Sequence, residues 1–140
     1  KIRHVGIVTK NLKKSIKFWV DHMGFKIFKS IDEEGVHIDS ITGKKKSSVK
    51  TVKLKGPNGY MIELLYFKNN KSKNIKRTPT SYGITHIAIQ VDDIKKQYKR
   101  LKDLKYRFNS TPNITPDGYA KMNYFRAHDN VFIELVELTK

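Results

Sequence analysis

Apolar and polar residues alternate along short segments that occur as related pairs in the two halves of the chain. Residues 2–8 alternate around β-branched side chains and predict a strand, and residues 84–91 follow the same pattern. After each of these segments, apolar residues recur at helical spacing. They are Leu12, Ile16, Trp19 and Met23 in the first half, and Ile94, Tyr98, Leu101 and Leu104 in the second. Each half therefore begins with a predicted strand and a predicted amphipathic helix.

The predicted helices have recognisable ends. Asn11 and Asp93 stand where a side-chain oxygen can accept from the free amides of the first turn, so both are predicted N-caps. Gly24 fits the left-handed residue that follows a helix. Lys105 occupies the matching place in the second half, where the helix must end without the conformational freedom of glycine.

Three more strands are predicted in each half. In the first half the strands cover residues 25–31, 50–55 and 60–67. A Gly/Lys-rich connection follows the first of them, and a Pro-Asn-Gly turn precedes the last. In the second half the strands cover residues 106–109, 120–127 and 131–138, with a loop at 110–118. The polar, basic segment 68–83 is a predicted linker. The pattern predicts one α+β domain, residues 1–140, that contains two tandem βαβββ modules, 1–67 and 84–140.

One histidine and one glutamate recur at matched places in the two modules. His4 and His86 lie on the first strand of each module, and Glu63 and Glu134 lie on the last. Because successive side chains of a strand point to opposite faces, each of these residues lies opposite the branched aliphatic residues of its strand. The same faces carry the small residues Gly6 and Ala88, which is typical of a cavity wall.

Imidazole and carboxylate groups in this combination suit a borderline divalent ion, namely Zn, Ni, Co, Mn or Fe. Four protein ligands leave room for two waters on a six-coordinate ion, and a substrate could replace those waters. A single histidine on an apolar strand is usually a hydrogen-bonded core residue, and a single glutamate there is usually a charge on the sheet face. The recurrence of all four residues favours the metal hypothesis. Of the other histidines, only His37 is a candidate pocket residue.

Motifs along the whole chain resemble the vicinal oxygen chelate superfamily, which includes glyoxalase I, methylmalonyl-CoA epimerase, extradiol dioxygenases and bleomycin- or fosfomycin-resistance proteins. The motifs are H-V-G-I-V-x-x-N-L-x-x-S-I-x-F-W followed by M-G-F, then G-P-N-G-Y-M-I-E-L-L, T-H-I-A-I-Q-V-D-D-I and D-N-V-F-I-E-L-V-E. The resemblance implies a single glyoxalase-like domain in which the two modules form a cupped, barrel-like mixed sheet with the helices outside. It also implies a homodimer.

The resemblance places His4, Glu63, His86 and Glu134 at the four metal-ligand positions of the family, and the set is most similar to that of glyoxalase I. The implied activity is that of a lyase or isomerase that moves a proton through a metal-stabilised enediolate. Glu134 is the expected base and Glu63 the second choice. A methylmalonyl-CoA epimerase-like enzyme and a non-catalytic protein that binds a small molecule or antibiotic remain alternatives.

Composition adds a strong positive charge to this picture. The chain has 29 Lys and Arg against 13 Asp and Glu, a formal net charge of +16. A general lysine bias is the favoured explanation of this charge, and the alternative is attraction of an anionic substrate, such as a glutathione or CoA adduct. Basic and aromatic residues are not grouped into a nucleic-acid-binding motif, so we expect no nucleic-acid partner. The candidate residues for the substrate pocket are His37, Tyr119, Asn123, Tyr124 and Arg126.

Two further features bear on location. The sequence contains no cysteine, which excludes disulfides, thiolate ligands and a cysteine nucleophile and favours a cytoplasmic protein. No apolar run approaches the roughly 20 residues that span a bilayer. We therefore expect no membrane partner.

Overall fold

The structure, a computed structural model, describes residues 1–139. The chain divides into two compact units, Lys1–Lys73 and Asn74–Lys140. The division falls inside the segment 68–83, which the sequence predicts as a linker.

The first unit contains a four-stranded mixed sheet. Its elements are β1 (Val5–Val8), α1 (Leu12–Lys17), a π-helical segment (Phe18–His22) that continues α1, β2 (Lys26–Glu34), α2 (Val36–Thr42), β3 (Ser48–Lys55) and β4 (Met61–Phe67). The strand order is β1-β4-β3-β2. β1 and β4 are parallel, and the other neighbours are antiparallel.

The second unit repeats this arrangement. It contains β5 (His86–Gln90), α3 (Ile94–Asp103), β6 (Asn113–Ile114), β7 (Ala120–Arg126) and β8 (Phe132–Leu138). The strand order is β5-β8-β7-β6, and the first and last strands of the unit in sequence, β5 and β8, are again parallel neighbours. The predicted α+β class with two tandem modules is confirmed. Each module forms a four-stranded sheet of its own, and each sheet is open instead of closed into a barrel.

Both predicted N-caps are present. The backbone N–H of Lys14 donates to the Asn11 side chain at 3.0 Å, and that of Lys96 donates to the Asp93 side chain at 2.9 Å. Gly24 is left-handed at φ 76°, as predicted. Lys105 is also left-handed, at φ 70°, so the second helix is followed by the same conformation without glycine.

The core of each unit lies between its N-terminal helix and the adjoining parallel strands, because α1 packs on β4 and α3 packs on β8. The fully or nearly fully buried side chains include Phe18, Trp19, Leu54 and Leu64 in the first unit, and Ile94, Leu101, Ile133 and Leu135 in the second. The predicted helix stripes are only partly buried, since Leu104 is 44% exposed. In α1, Ser15 is buried beside Trp19 and its hydroxyl bonds to that of Thr9 at 2.6 Å.

The Gly/Lys-rich connection after β2 contains a short helix, α2, that the sequence pattern did not predict. Ile38 is the buried residue of α2, and Gly43 ends the helix in a left-handed conformation. The backbone N–H groups of Lys46 and Ser47 donate to the Asp39 carboxylate at 2.9 and 2.6 Å. These bonds hold the pKa of Asp39 below its usual value.

The strand predicted at 106–109 is reduced to one isolated bridge, between Phe108 and Phe125. The segment still runs beside β7, because the N–H of Asn109 donates to the carbonyl of Tyr124 and that of Arg126 donates to the carbonyl of Arg107. The regular fourth strand is β6, which lies in the segment predicted to be a loop.

No helix within residues 1–139 is long and apolar enough to cross a membrane.

Candidate functional site

The first unit brings one predicted histidine to one predicted glutamate. Parallel pairing of β1 and β4 places Gly6 opposite Glu63, and His4 precedes Gly6 by two residues. The His4 Nε2 atom lies 3.7 Å from Glu63 Oε1. The side chains are 30% and 14% exposed, so the pair is accessible at the imidazole and mostly shielded at the carboxylate.

The second unit repeats the arrangement. β5 and β8 place Ala88 opposite Glu134, and His86 precedes Ala88 by two residues. The His86 Nε2 atom lies 3.2 Å from Glu134 Oε2. The two small residues thus hold equivalent positions beside the carboxylates, as the strand alternation predicts.

The third side chain at each carboxylate differs between the units. Antiparallel pairing places Lys53 opposite Glu63 and Tyr124 opposite Glu134. Lys53 Nζ lies 3.3 Å from Glu63 Oε2. Partial burial, the negative charge of Glu134 and a hydrogen bond to Glu134 raise the pKa of Tyr124, so its hydroxyl stays protonated at neutral pH. The edge of the His86 ring also meets the ring of Tyr124, with centroids 5.2 Å apart.

Lys53 was not among the residues singled out from the sequence. A hairpin turn fixes the register of the strands that it joins. The Pro-Asn-Gly turn before β4 was identified, so counting outward from it could have found Lys53 opposite Glu63.

The donor atoms of each pair suit a divalent ion. Two ligands at about 2.1 Å from an ion, at an angle of about 90–110°, are about 3.0–3.4 Å apart. The 3.2 Å between His86 Nε2 and Glu134 Oε2 falls in that interval, and the 3.7 Å between His4 Nε2 and Glu63 Oε1 lies slightly above it. Within each unit, the described residues do not bring three His, Cys, Asp or Glu side chains together as a metal site. Each unit therefore supplies two donors.

The far nitrogens of the two imidazoles differ. The Nδ1 atom of His86 lies 3.2 Å from the Thr85 hydroxyl, a contact of the kind that orients metal-binding histidines. The Nδ1 atom of His4 is buried without a hydrogen-bond partner. The second pair is therefore the better oriented of the two.

Among the other pocket candidates, only Arg126 shares the face of β7 on which Tyr124 lies. His37 is exposed on α2, and Tyr119 is 53% exposed before β7, five residues from Tyr124. Asn123 is buried opposite Leu135, on the face that Tyr124 and Glu134 do not share. Its Oδ1 atom has no hydrogen-bond partner, while its amide donates to the Ser110 carbonyl at 3.3 Å.

Arg126 has structural partners. Its guanidinium donates to the carbonyl of Arg77 at 2.8 Å and to the side chain of Asn130 at 3.3 Å. It also lies over the ring of Phe132, 4.8 Å from the centroid. These contacts connect the end of β7 to the segment 68–83 and to the turn before β8.

The first unit also contains a cavity of about 480 Å³ near the carboxyl ends of β1 and β4. It includes neither His4 nor Glu63. Its lining residues are Thr9, Lys10, Tyr66, Phe67, Asn69, Asn70, Lys71 and Ser72.

The comparison with protein families agrees with the duplicated βαβββ fold. The model of the Glyoxalase/Bleomycin resistance protein/Dioxygenase superfamily matches residues 1–135. The chain belongs to this superfamily. Membership in the glyoxalase superfamily accounts for the two related units. A search of curated proteins found no match.

Solved structures share the fold at low identity. A glyoxalase family protein from Bacillus cereus is similar with a TM-score of 0.88 and 20% identity, over 100% of this chain and 95% of that one. The trypanothione-dependent glyoxalase I of Leishmania major gives a TM-score of 0.67 and 24% identity, over 98% and 86% of the two chains. A fosfomycin resistance protein of Listeria monocytogenes, complexed with Mn(II) and 1S,2S-dihydroxypropylphosphonic acid, gives 0.65 and 18%, over 96% and 87%.

Proposed function

We propose that this glyoxalase-superfamily protein is a metal-dependent lyase or isomerase of the glyoxalase I type. In this proposal His4, Glu63, His86 and Glu134 together bind one divalent ion. The observation that carries it is the repeated His–Glu pair, with nitrogen–oxygen distances of 3.7 and 3.2 Å. Imidazole and carboxylate donors suit Zn, Ni, Co, Mn or Fe.

In this proposal the bound ion and the glutamates have different roles in the proton transfer. A bound ion would supply a Lewis acid that polarises a substrate carbonyl and acidifies the carbon beside it. Glu134 would accept the proton from that carbon and return it to the neighbouring carbon. Glu63 already holds the ammonium group of Lys53, whereas Glu134 accepts from the neutral hydroxyl of Tyr124. The carboxylate without an ammonium partner is the better candidate for the base.

The substrate is proposed to be an anionic thiol adduct. A formal net charge of +16 favours association with anions, which a glutathione or CoA adduct would provide. A glutathione hemithioacetal and an acyl-CoA with an acidic α-carbon both present a proton beside a carbonyl-type oxygen. The first corresponds to a glyoxalase I and the second to an epimerase.

Elemental analysis after loading with each divalent ion tests the ligand set. We expect one ion for each complete set of four ligands, and loss of that ion in His86→Ala. His37→Ala is the matched control, because His37 is exposed on α2 and is no part of the set. Equal metal content in all three proteins would refute the ligand assignment.

Turnover tests the reaction. The loaded protein should isomerise the hemithioacetal of methylglyoxal and glutathione, and Glu134→Gln should reduce kcat by at least about 100-fold, the lower range for a positioned general base. Turnover of methylmalonyl-CoA instead would assign the epimerase alternative. A loaded protein that turns over neither substrate would refute the proposed reaction.

A non-catalytic binding protein is the second candidate, favoured by the Lys53–Glu63 ion pair. The Lys53 ammonium group, 3.3 Å from Glu63, neutralises the charge of one of the four proposed ligands. A metal enzyme does not require this ion pair, and a protein that binds a small molecule without metal is compatible with it. Tight binding of a small anion by protein stripped of metal, with no turnover, would support this alternative.

We also propose a homodimer, which size-exclusion chromatography with light scattering would show as twice 16.3 kDa. Mixing His4→Ala with His86→Ala protein then tests how the ligand set is shared. Recovery of metal in the mixture would assign ligands from two chains to one ion. No recovery in a mixture that exchanges subunits would assign all four to the same chain.

A further inference from the structure

Lys53 and Tyr124 hold equivalent places in the two units. Each lies on the strand next to the proposed ligand strand, directly opposite the glutamate, and each contacts that carboxylate. One contact carries a full positive charge and the other carries none. The repeat therefore provides a charged and a neutral version of the same contact.

The two oxygens of Glu63 face different partners. Oε1 lies 3.7 Å from the His4 imidazole, and Oε2 lies 3.3 Å from the Lys53 ammonium group. When a carboxylate binds a metal through one oxygen, a hydrogen-bond donor commonly holds its other oxygen and fixes the orientation of the carboxylate. The Lys53 ammonium group occupies the position of that donor, beside Oε2 of Glu63.

The surroundings strengthen the effect of this ammonium group. The Lys53 side chain is 21% exposed, so water screens its charge less than that of a surface lysine. Its neighbour on β2 is Lys29, another cation, so the strand on that side offers no carboxylate in register with it. Glu63 is thus the acidic cross-strand partner of Lys53.

We propose that Lys53 is a positioning residue that holds Glu63 in place before metal binds and weakens the binding of a divalent ion at the His4–Glu63 pair. The inference rests on the proposed function, because it takes Glu63 as a metal ligand. An ammonium group and a divalent ion on the same carboxylate repel each other, and this repulsion is strong where water is partly excluded. Tyr124 orients Glu134 without that repulsion. The His4–Glu63 pair would therefore be the weaker half of the ligand set.

The test compares the metal affinity of four proteins by competition with a chromogenic chelator, using Zn²⁺ and Ni²⁺ at a fixed pH. Lys53→Met keeps the length of the side chain and removes its charge. We expect it to lower the Kd about tenfold, because the repulsion that is removed exceeds the orienting effect that is lost. Tyr124→Phe should change the Kd in the opposite direction by a similar factor, because it loses an orienting donor and no charge.

Lys50→Met is the matched control for lost charge. Lys50 lies on the same strand and pairs with the exposed carboxylate of Asp32 at 3.0 Å, so its variant should leave the Kd unchanged. Thermal melts of the metal-free proteins provide a second readout. Without metal, the melting temperature of Lys53→Met should be lower than that of the wild type. When metal is added, the melting temperature of Lys53→Met should rise by more than that of the wild type.

The outcomes separate the inference from the proposed function. If the wild type binds metal and Lys53→Met binds it no more tightly, the role of Lys53 is refuted and the ligand set stands. If only Lys53→Met binds metal, Lys53 is confirmed as the opposing charge, and the wild type is no metal enzyme under those conditions. If neither protein binds an ion, both proposals are refuted.

Discussion

Glu137 connects three elements of the second unit through one carboxylate. Oε1 accepts from Lys121 Nζ on β7 at 2.7 Å, and Oε2 accepts from the backbone N–H of Ile94, at the start of α3, at 2.8 Å. These two bonds, that of Lys121 foremost, hold the pKa of Glu137 below its ordinary value of 4.5. Glu137 itself lies on β8, so it fixes the start of the helix to the sheet.

We expect Glu137→Gln to lower the melting temperature at pH 7 by a few degrees, because the amide cannot form the charged bond to Lys121. Since the folded protein lowers the pKa, the charged carboxylate stabilises the fold above about pH 4.5, and this contribution disappears as the pH falls below that value. The difference from the wild type should therefore shrink in melts at lower pH. Glu34→Gln, at an exposed site on β2, is the control. A difference that does not change with pH would contradict this explanation.

At the residue level, the sequence was sufficient to pair the candidate ligands but not to find their neighbours. The repeat indicated that His4 belongs with Glu63 and His86 with Glu134, and strand alternation placed each pair on one face. The contact of Lys53 with Glu63 depends on which residues of two strands are opposite each other. A shift of one residue would have turned Lys53 to the other face.

At the level of elements, the first βαβββ module leaves little room for a side chain at Gly56. A Cβ added at Gly56 would lie 3.0 and 3.1 Å from the ring of Phe25. That ring is itself held edge-on against Trp19, with centroids 5.1 Å apart. Gly6 is different, because an added Cβ would meet the Leu65 side chain at an ordinary 3.4 Å.

Denaturant unfolding should therefore distinguish the two glycines. We expect Gly56→Ala to lower the free energy of unfolding by about 1–3 kcal/mol, the usual cost of overpacking. Gly6→Ala should cost less than about 1 kcal/mol, since Ala88 already occupies the equivalent place in the second sheet. Equal losses in the two variants would contradict the role assigned to Phe25.

The two elements that the sequence did not predict depend on contacts with residues outside their own segments. α2 is rich in β-branched residues, which are poor helix formers, and it is stabilised by burial of Ile38 and by the bonds of Asp39 to residues 46 and 47. The segment 106–109 alternates as a strand should. Its aromatic residues instead pack on Phe125, and the regular ladder begins later, at β6. The capping residues and the paired strands of the first unit were predictable because their determinants are local.

For the whole molecule, the dominant feature is a charge of +16 on 140 residues. Like charges repel in the folded state, where they are closer together than in the unfolded chain. We expect the melting temperature to rise by a few degrees between 20 and about 300 mM NaCl, because the screening length falls below about 10 Å above 0.1 M salt. Sucrose of equal osmolality is the control for effects unrelated to charge. A melting temperature that falls with NaCl would show that attractive pairs outweigh the repulsion.

The matched places of Lys53 and Tyr124 also make the chain a convenient starting point for protein engineering. Placing tyrosine at both positions, or lysine at both, would give halves with the same local chemistry. A chain with one of each provides an asymmetric scaffold whose two sides can be adjusted separately. A designer could therefore change the side chain that contacts Glu63 while leaving the one opposite Glu134 untouched.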